Sequence, residues 1–206
     1  MKKSNETLYG NVPDTSAVAL LLIDVINDLE FPEGRALLRH ALPMARRLAR
    51  LKQQAKQRGA AVIYVNDNFG RWRSDFKSQV EHCLHDGVTG RQIVELLKPA
   101  ADDYFVLKPA HSGFFSTTLD LLLKHLQATT VVLTGLATNI CVLFTANDAY
   151  LRGYQIVVPR DCVAANSERL TKDALIQMQA VLKANISTSR SLPWSKWLGA
   201  ERSTRA

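Results

Sequence analysis

The sequence predicts an α/β fold in which a doubly wound, mostly parallel six-stranded sheet lies between two layers of helices. Short, continuously apolar runs such as 17–23 and 130–134 alternate with longer segments of helical periodicity. Strands that are apolar at every position are typical of parallel sheets covered on both faces. Parallel strands also require crossover connections, which are usually helical. We therefore predict one three-layer α/β/α sandwich over residues 1–206, with its core at about 16–190.

The predicted strands share a short length, an apolar interior and polar or turn-forming residues at both ends. They are 17–23, 60–65, 103–107, 130–134, 155–159 and 185–188. The doubly wound topology predicts the strand order 3-2-1-4-5-6.

The predicted helices follow the strands in turn, except that residues 66–87 after the second strand are predicted to form a long polar loop. Pro43 best suits the first position of a helix, where its missing N–H costs nothing. We therefore predict a short helical turn at 36–41 and a separate helix from Pro43 to Arg58. The remaining helices are predicted at 91–98, 116–127, 141–151 and 167–183, and residues before about 16 as an extended arm.

Composition and charge limit the partners and the cellular location that we predict for the protein. The chain has 206 residues, of which 47% are hydrophobic, and a formal net charge of +7. The basic residues are scattered along helices without a nucleic-acid-binding motif, so we predict no nucleic-acid partner. No apolar run approaches the roughly 20 residues of a membrane span, and no apolar signal segment follows the charged start. With three cysteines, an odd and sparse set, the sequence predicts a cytoplasmic protein without a membrane partner.

Three reactive side chains follow predicted strands at their carboxyl ends. Asp24 follows the first strand, Lys108 follows the third, and Cys141 opens the helix after the fourth. Doubly wound sheets bind ligands at this edge. Strands one and four are neighbours in the predicted order, so Asp24 and Cys141 can meet, whereas the loop of Lys108 has to fold back over strand two.

Cys141 is the candidate nucleophile because of its place in the helix. Gly135 lets the backbone turn after the strand, and Thr138 or Asn139 can cap the helix, which puts Cys141 in its first turn. Free N–H groups and the positive helix end favour a thiolate there and can hold an oxyanion. Asp24 would then take the proton and Lys108 would favour the thiolate. Each residue also has a structural alternative. Cys141 could be a small buried cysteine, Asp24 could cap a turn, and Lys108 could simply be exposed.

Three stretches carry a resemblance to a known family. Leu21–Asp28, Val106–Pro109 and Thr134–Val142 match, in spacing and order, the isochorismatase-like cysteine hydrolase family. The resemblance covers about 16–190 and includes nicotinamidases, N-carbamoylsarcosine amidohydrolase and ureidoacrylate-type amidohydrolases. Isochorismatase itself lacks the cysteine, so Cys141 indicates cleavage of a C–N bond. Homo-oligomers are common in such families, so we predict a dimer or tetramer.

The resemblance also implies roles for individual residues. It implies an Asp-Lys-Cys triad made of Asp24, Lys108 and Cys141. It further implies a cis peptide bond at Leu136–Ala137, with the N–H groups of Ala137 and Cys141 as the oxyanion hole.

The sequence predicts no metal and no cofactor. Nicotinamidases place an aspartate and a histidine pair for a metal just after the second strand, where this chain has 66–69 without histidine. His82 and His85, with Asp86, could serve a metal if they were helical, but a polar surface turn is the favoured interpretation.

The residues predicted to line the substrate pocket lie in the connections at the same edge of the sheet. They are Asn27, Phe31, Asn68, Arg71, Trp72, His111 and Phe114. Arg71 could bind a substrate carboxylate by a forked contact, and a surface arginine is the alternative.

The sequence thus predicts a hydrolase that cleaves the C–N bond of a small-molecule amide, carbamoyl or ureido substrate through a thioester. Two alternatives on the same fold are a non-catalytic module that binds a small ligand or a partner, and a redox-sensing thiol protein. A nucleotide-binding oxidoreductase is disfavoured, because residues 24–28 contain no glycine-rich phosphate loop. Trp194 and Trp197 could form an oligomer contact or pack on their own domain.

Overall fold

The computed structural model describes residues 15–68 and 75–198. Within them, parallel strands form one sheet between two helical layers, which confirms the predicted fold class. The strands are β1 (Val18–Ile23), β2 (Ala61–Asp67), β3 (Tyr104–Lys108), β4 (Thr130–Leu136), β5 (Gln155–Val157) and β6 (Val163–Ala164). The helices are α1 (Gly34–Gln57), α2 (Phe76–His85), α3 (Arg91–Leu96), α4 (Leu119–His125), α5 (Leu143–Leu151), α6 (Glu168–Leu182) and α7 (Trp194–Leu198), with a π-helical turn at Thr138–Val142 and a 3-10 turn at Ser189–Ser191.

The central strand β1 shows how the sequence produces three layers. Alternate side chains point to opposite faces of a strand. Val18, Leu20 and Leu22 pack in a cluster with α1, α2 and α3, whereas Leu21 and Ile23 pack in a second cluster with α4, α5 and α6. A continuously apolar strand therefore serves two cores at once.

The strand order is β3-β2-β1-β4-β5, as predicted for the first five strands. The sixth position differs. The predicted strand 185–188 forms only a single bridge, between Asn185 and Val157. The strand β6 is instead the short segment Val163–Ala164, which pairs with Gly135 and Leu136 at the end of β4. Because β5 has only three residues, the end of β4 extends beyond it and accepts β6 there.

Helix α1 corrects the prediction that Pro43 begins a helix. The helix runs without a break from Gly34 to Gln57, with Pro43 inside it. Pro43 is exposed, so the carbonyl that its missing N–H leaves unpaired can be hydrated. The buried residues Leu37, Ala41 and Leu48 continue one apolar stripe through this point, and burial of that stripe outweighs the local cost of the proline.

The segment 66–87 also differs from the predicted loop, because it contains helix α2. Asp75 caps this helix by accepting a hydrogen bond from the N–H of Ser78 at 2.8 Å. Phe76 and Val80 are buried in the first core cluster, and that burial holds the helix in place. Because the segment is mostly polar and the apolar face of α2 is short, the sequence predicted a loop here.

The C-terminal aromatic residues pack on their own domain. Trp194 is buried and contacts Trp197 edge to face, with 5.7 Å between ring centroids. Both belong to the cluster that covers α1. None of the helices within residues 15–68 and 75–198 is both long and apolar enough to cross a membrane.

Candidate active site

Asp24 lies directly after β1, at the carboxyl edge of the sheet, and its side chain is buried. Its N–H donates to the carbonyl of Val65 at 3.0 Å, which extends the pairing of β1 with β2 by one residue. Its Oδ1 accepts a hydrogen bond from the N–H of Asp67 at 2.8 Å. Both the backbone and one carboxylate oxygen of Asp24 are therefore fixed by β2.

Lys108 is the last residue of β3 and is fully buried. Its Nζ lies 3.0 Å from Oδ2 of Asp24 and 3.4 Å from Oδ2 of Asp67. It also donates to the carbonyl of Ala110 at 3.2 Å. The ammonium group thus reaches past the end of β2, and the positive charge is compensated by the buried carboxylate of Asp24 and the half-buried carboxylate of Asp67.

Cys141 lies in the π-helical turn between β4 and α5, and it is partly buried. Its Sγ is 3.6 Å from Nζ of Lys108 and 4.0 Å from Nδ1 of His111. Nζ of Lys108 therefore contacts both Asp24 and Cys141, which brings together the three side chains predicted from the strand ends.

The connection from β4 to this turn is sterically constrained. Gly135 has a φ of +102°, and a Cβ there would lie 2.1 Å from the carbonyl oxygen of Ile23. The following peptide bond between Leu136 and Ala137 is cis. The carbonyl of Ala137 then accepts hydrogen bonds from Ile140 and Val142 at 3.0 and 3.2 Å. Only glycine permits β4 to approach β1 this closely.

The predicted cap of the helix by Thr138 or Asn139 is wrong. The π-helical turn begins after Ala137, which has extended backbone angles, and no side chain caps it. The hydroxyl of Thr138 is buried and has no hydrogen-bond partner within the described residues. Thr138 and Asn139 lie inside the turn, beyond the cap position that Ala137 occupies, so their side chains cannot act as its cap.

Two residues that the sequence did not single out hold the site together. The side chain of Asn66 pairs with both the N–H and the carbonyl of Ile26, which fixes the segment after Asp24. Thr145 accepts a hydrogen bond from the N–H of Gly113 at 3.0 Å and donates to the carbonyl of Cys141 at 2.7 Å. A buried polar residue on an otherwise apolar strand or helix face was the available signal for both.

Asp67 was also missed as a partner of Lys108. Its position at the end of β2, between the strands that carry Asp24 and Lys108, was the signal that could have identified it.

Burial dominates the proton affinities at the site. Burial raises the pKa of Asp24 above its usual value, against the opposing effect of Lys108. Burial alone would lower the pKa of Lys108, but Asp24, Cys141 and Asp67 together raise it. Burial and then the Asp24 carboxylate raise the pKa of Cys141 to about 12, although Lys108 opposes this. The raised pKa of Cys141 favours a neutral thiol, which agrees with a role of Asp24 as the base and opposes the stabilisation of a thiolate by the helix end.

The predicted pocket residues separate into distinct groups. Asn27 and Phe31 lie on the segment after β1, and Phe31 is 40% exposed, while Oδ1 of Asn27 accepts the N–H of Leu29. Asn68 is buried at the end of β2, where its N–H donates to the carbonyl of Lys108. His111 is exposed beside Cys141, and its ring lies 5.4 Å from that of Phe144.

The remaining three predicted pocket residues are Phe114, Arg71 and Trp72. Phe114 is buried in the second core cluster, against Tyr154 and under the guanidinium of Arg152, because its segment turns inward toward α5. Its predicted place in the pocket is therefore wrong. Arg71 and Trp72 lie outside the described residues.

His82 and His85 are helical, contrary to the favoured surface turn. His82 lies 2.6 Å from Asp86 and 3.4 Å from Asp28, whereas His85 pairs with Glu81 at 3.1 Å. The two histidines thus have different carboxylate partners. Among residues 15–68 and 75–198, no group of three or more histidine, cysteine, aspartate or glutamate side chains is arranged to hold a metal ion.

Comparison with known proteins covers the elements that build this site. A model described as the isochorismatase domain matches residues 18–190. The uncharacterized isochorismatase family protein YaaI of Bacillus subtilis (strain 168) is 41% identical over 174 residues, which cover 84% of this chain and 95% of that protein.

Two solved structures are similar over most of the chain. The N-carbamoylsarcosine amidase from Thermoplasma acidophilum has a TM-score of 0.67 and 31% identity, covering 85% of this chain and 98% of that one. The pyrazinamidase/nicotinamidase from Streptococcus mutans UA159 has a TM-score of 0.65 and 29% identity, covering 82% and 99%. The matched region includes Asp24, Lys108 and Cys141.

Proposed function

Because this chain belongs to the isochorismatase family, we propose that it is a cysteine-dependent hydrolase that cleaves the C–N bond of a small amide, carbamoyl or ureido compound. One observation carries the proposal. Nζ of Lys108 lies 3.0 Å from Oδ2 of Asp24 and 3.6 Å from Sγ of Cys141. A nucleophile, a base and a cation therefore lie within reach of one bound carbonyl group.

The chemistry begins from the neutral thiol. Sγ of Cys141 attacks the carbonyl carbon, and its proton passes to Asp24 as the C–S bond forms. The raised pKa of Asp24 suits this step, because burial makes its carboxylate a better base than an exposed one. The oxyanion is proposed to be held by the N–H groups of Ala137 and Cys141.

The second half of the reaction restores the enzyme. The protonated Asp24 gives its proton to the leaving nitrogen as the C–N bond breaks, which leaves a thioester on Cys141. Asp24 then takes a proton from water, whose oxygen attacks the thioester carbon. The sulfur leaves and recovers the proton, so that the thiol and the carboxylate are both regenerated. Lys108 keeps its positive charge throughout and limits the negative charge that Asp24 and the sulfur carry together.

We further propose that the substrate lies against the exposed side of Cys141. His111 and Phe144 form one wall there, with Nδ1 of His111 4.0 Å from Sγ. Asn27 and Phe31 are proposed to contact the substrate from the segment after β1, together with Asn68 at the end of β2. A resident metal forms no part of the proposal.

The redox-sensing alternative is weakened by the proton affinity of the thiol. Sensor cysteines react as thiolates and have lowered pKa values, whereas burial raises the pKa of Cys141 to about 12. A cytoplasmic location and a homo-oligomer remain predictions.

The test is ammonia or amine release from a panel of small amides, carbamoyl compounds and ureido acids. We expect release from at least one class with the wild-type protein. In Cys141→Ala we expect a loss on the order of 10⁴-fold or more, because the nucleophile is missing. Cys83→Ala is the matched control, because Cys83 is a fully buried thiol in the other core cluster. Release that survives in Cys141→Ala would refute the mechanism.

A further inference from the structure

A cavity of about 610 Å³ lies between the first half of α1 and the first half of α6, apart from the Cys141 site. Strand β6 forms its inner wall through Val163 and Ala164, at the point where β6 pairs with the end of β4. Cavities of roughly 300–1,000 Å³ are the usual size for small-molecule sites. Neither Asp24 nor Cys141 lines this cavity.

The rim of the cavity is strongly basic. Arg39 and Arg47 line it from α1, Arg160 from the segment before β6, and Lys172 from α6. Within residues 15–68 and 75–198, none of these four cations has a carboxylate oxygen within 4.0 Å of a charged nitrogen. All four are exposed.

The carboxylates at the cavity compensate this charge only in part. Only Asp161 and Glu168 are among the lining residues. The two oxygens of Asp161 accept hydrogen bonds from the N–H and the hydroxyl of Ser189, at 2.7 and 2.8 Å. Asp161 therefore stabilises the 3-10 turn while it keeps its negative charge, and four cations face two carboxylates at the cavity.

The floor of the cavity is apolar. Met44 and Leu175 line it from the two helices and are themselves buried, and Ile176 lines it with 52% of its surface exposed. An apolar floor below a cationic rim favours a molecule with an apolar body and an anionic head. The guanidinium groups match carboxylate and phosphate geometry in particular, because they can donate two parallel hydrogen bonds.

We propose that the cavity between α1 and α6 is a second ligand site, which takes a small organic anion with an apolar body and a carboxylate or phosphate head. The proposal does not rest on hydrolysis at Cys141. It assigns the four cations at the rim to the head of the ligand and the residues of the floor to its body.

The proposal is tested with 4-fluorobenzoate and 4-fluorophenyl phosphate as fluorine NMR probes. The two probes share one apolar body and distinguish a carboxylate head from a phosphate head. We expect saturable line broadening with at least one of them, and at least tenfold weaker binding in the double variant Arg47→Gln/Arg160→Gln. Lys172→Gln, on the opposite helix, provides an independent single variant that should also weaken binding.

The matched control is Arg46→Gln/Arg50→Gln, which removes two exposed arginines from α1 that do not line the cavity. It changes the net charge by the same amount and should leave binding within about twofold of wild type. The neutral probe 4-fluorobenzyl alcohol should bind far more weakly. Absence of saturable binding, unchanged binding in the cavity variants, or an equal loss in the control would overturn the proposal. Circular dichroism of each variant identifies any loss caused by unfolding.

Discussion

The Cys141 site and the cavity between α1 and α6 both contain basic side chains beside the carboxyl end of β4, but their charges are treated differently. Lys108 is fully buried, and its charge is compensated by Asp24 and Asp67 from the same chain. The cations at the cavity are exposed, and within the described residues none of them has a carboxylate oxygen within 4.0 Å. A buried charge with compensating carboxylates keeps both its position and its proton, as a group in a reactive site must. An uncompensated, exposed charge is available to a ligand from solution.

The largest expected effect comes from removing the compensated charge. Lys108→Met leaves the Asp24 carboxylate buried without its cation, which costs about 3–5 kcal/mol of folding stability. At the cavity, by contrast, Arg47→Met removes an exposed cation and should change the stability little. Urea unfolding of both variants makes the comparison, and equal losses would contradict it.

The folding stability of Lys108→Met should depend on pH in a defined direction. The folded-state pKa of Asp24 is raised above its usual value of 3.8, so its contribution to stability is lost as the pH rises through the folded value. Loss of Lys108, which opposes this shift, raises the pKa further. The deficit of Lys108→Met relative to wild type should therefore be larger at pH 8 than at pH 5. A deficit that does not depend on pH would show that Asp24 is not the group left uncompensated.

The next effect tests the strand that connects the two regions. Gly135→Ala places a Cβ against the backbone of Ile23 at a φ of +102°, and we expect a stability loss of at least about 2 kcal/mol. Because β4 pairs with β1 on one side and with β6 on the other, hydrolysis and anion binding should both fall.

Gly59→Ala is the matched control for this prediction. Gly59 also has a positive φ, of +76°, but an added Cβ would meet nothing within 4 Å. We expect about 1 kcal/mol of destabilisation from the backbone conformation alone. Thermal unfolding of the two variants separates the clash from the strain, and a similar loss in both would mean that the contact with β1 is not limiting.

The smallest effect concerns the proton on the sulfur. With a pKa of about 12, Cys141 should react with iodoacetamide at a rate that rises with pH up to pH 10 without a plateau. Asp24→Asn removes a charge that raises this pKa, so we expect roughly tenfold faster labelling at pH 8, equivalent to one pKa unit, while hydrolysis is lost.

Mass spectrometry of the Cys141 peptide measures this rate. Cys83 and Cys162, which are fully buried, serve as slow internal references. Slower labelling of Cys141 in Asp24→Asn would mean that the carboxylate already activates the thiol before substrate binds.

The features that the sequence predicted correctly are those that depend on the topology of the sheet. Continuous apolar strands and their alternation with helices determined the layers and the order of five strands, and this part is confirmed. Because carboxyl ends of parallel strands share one edge, Asp24, Lys108 and Cys141 could be expected near each other before any coordinates. Their catalytic roles remain a proposal.

What the sequence did not predict depends on tertiary packing. Pro43 indicated a helix start, but a continuous apolar stripe carries α1 through it. The polar composition of 66–87 concealed α2, because this helix depends on the burial of Phe76 against the rest of the fold. The helix end and Lys108 were expected to favour a thiolate at Cys141, whereas burial raises the pKa of this thiol, and local sequence does not specify the depth of burial.

The backbone on both sides of the Asp24–Lys108 pair belongs to the hydrogen-bond ladder of the sheet. The N–H of Asp24 donates to Val65, and the carbonyl of Lys108 accepts from Asn68. For protein engineering, this separates two kinds of change. The connection 27–33 carries neither partner of the ion pair, so it is the candidate for exchange to alter which substrate is accepted, whereas 111–118 is tied to the Cys141 turn through Gly113 and Thr145. The proposed chemistry would then be kept while the selectivity is redesigned.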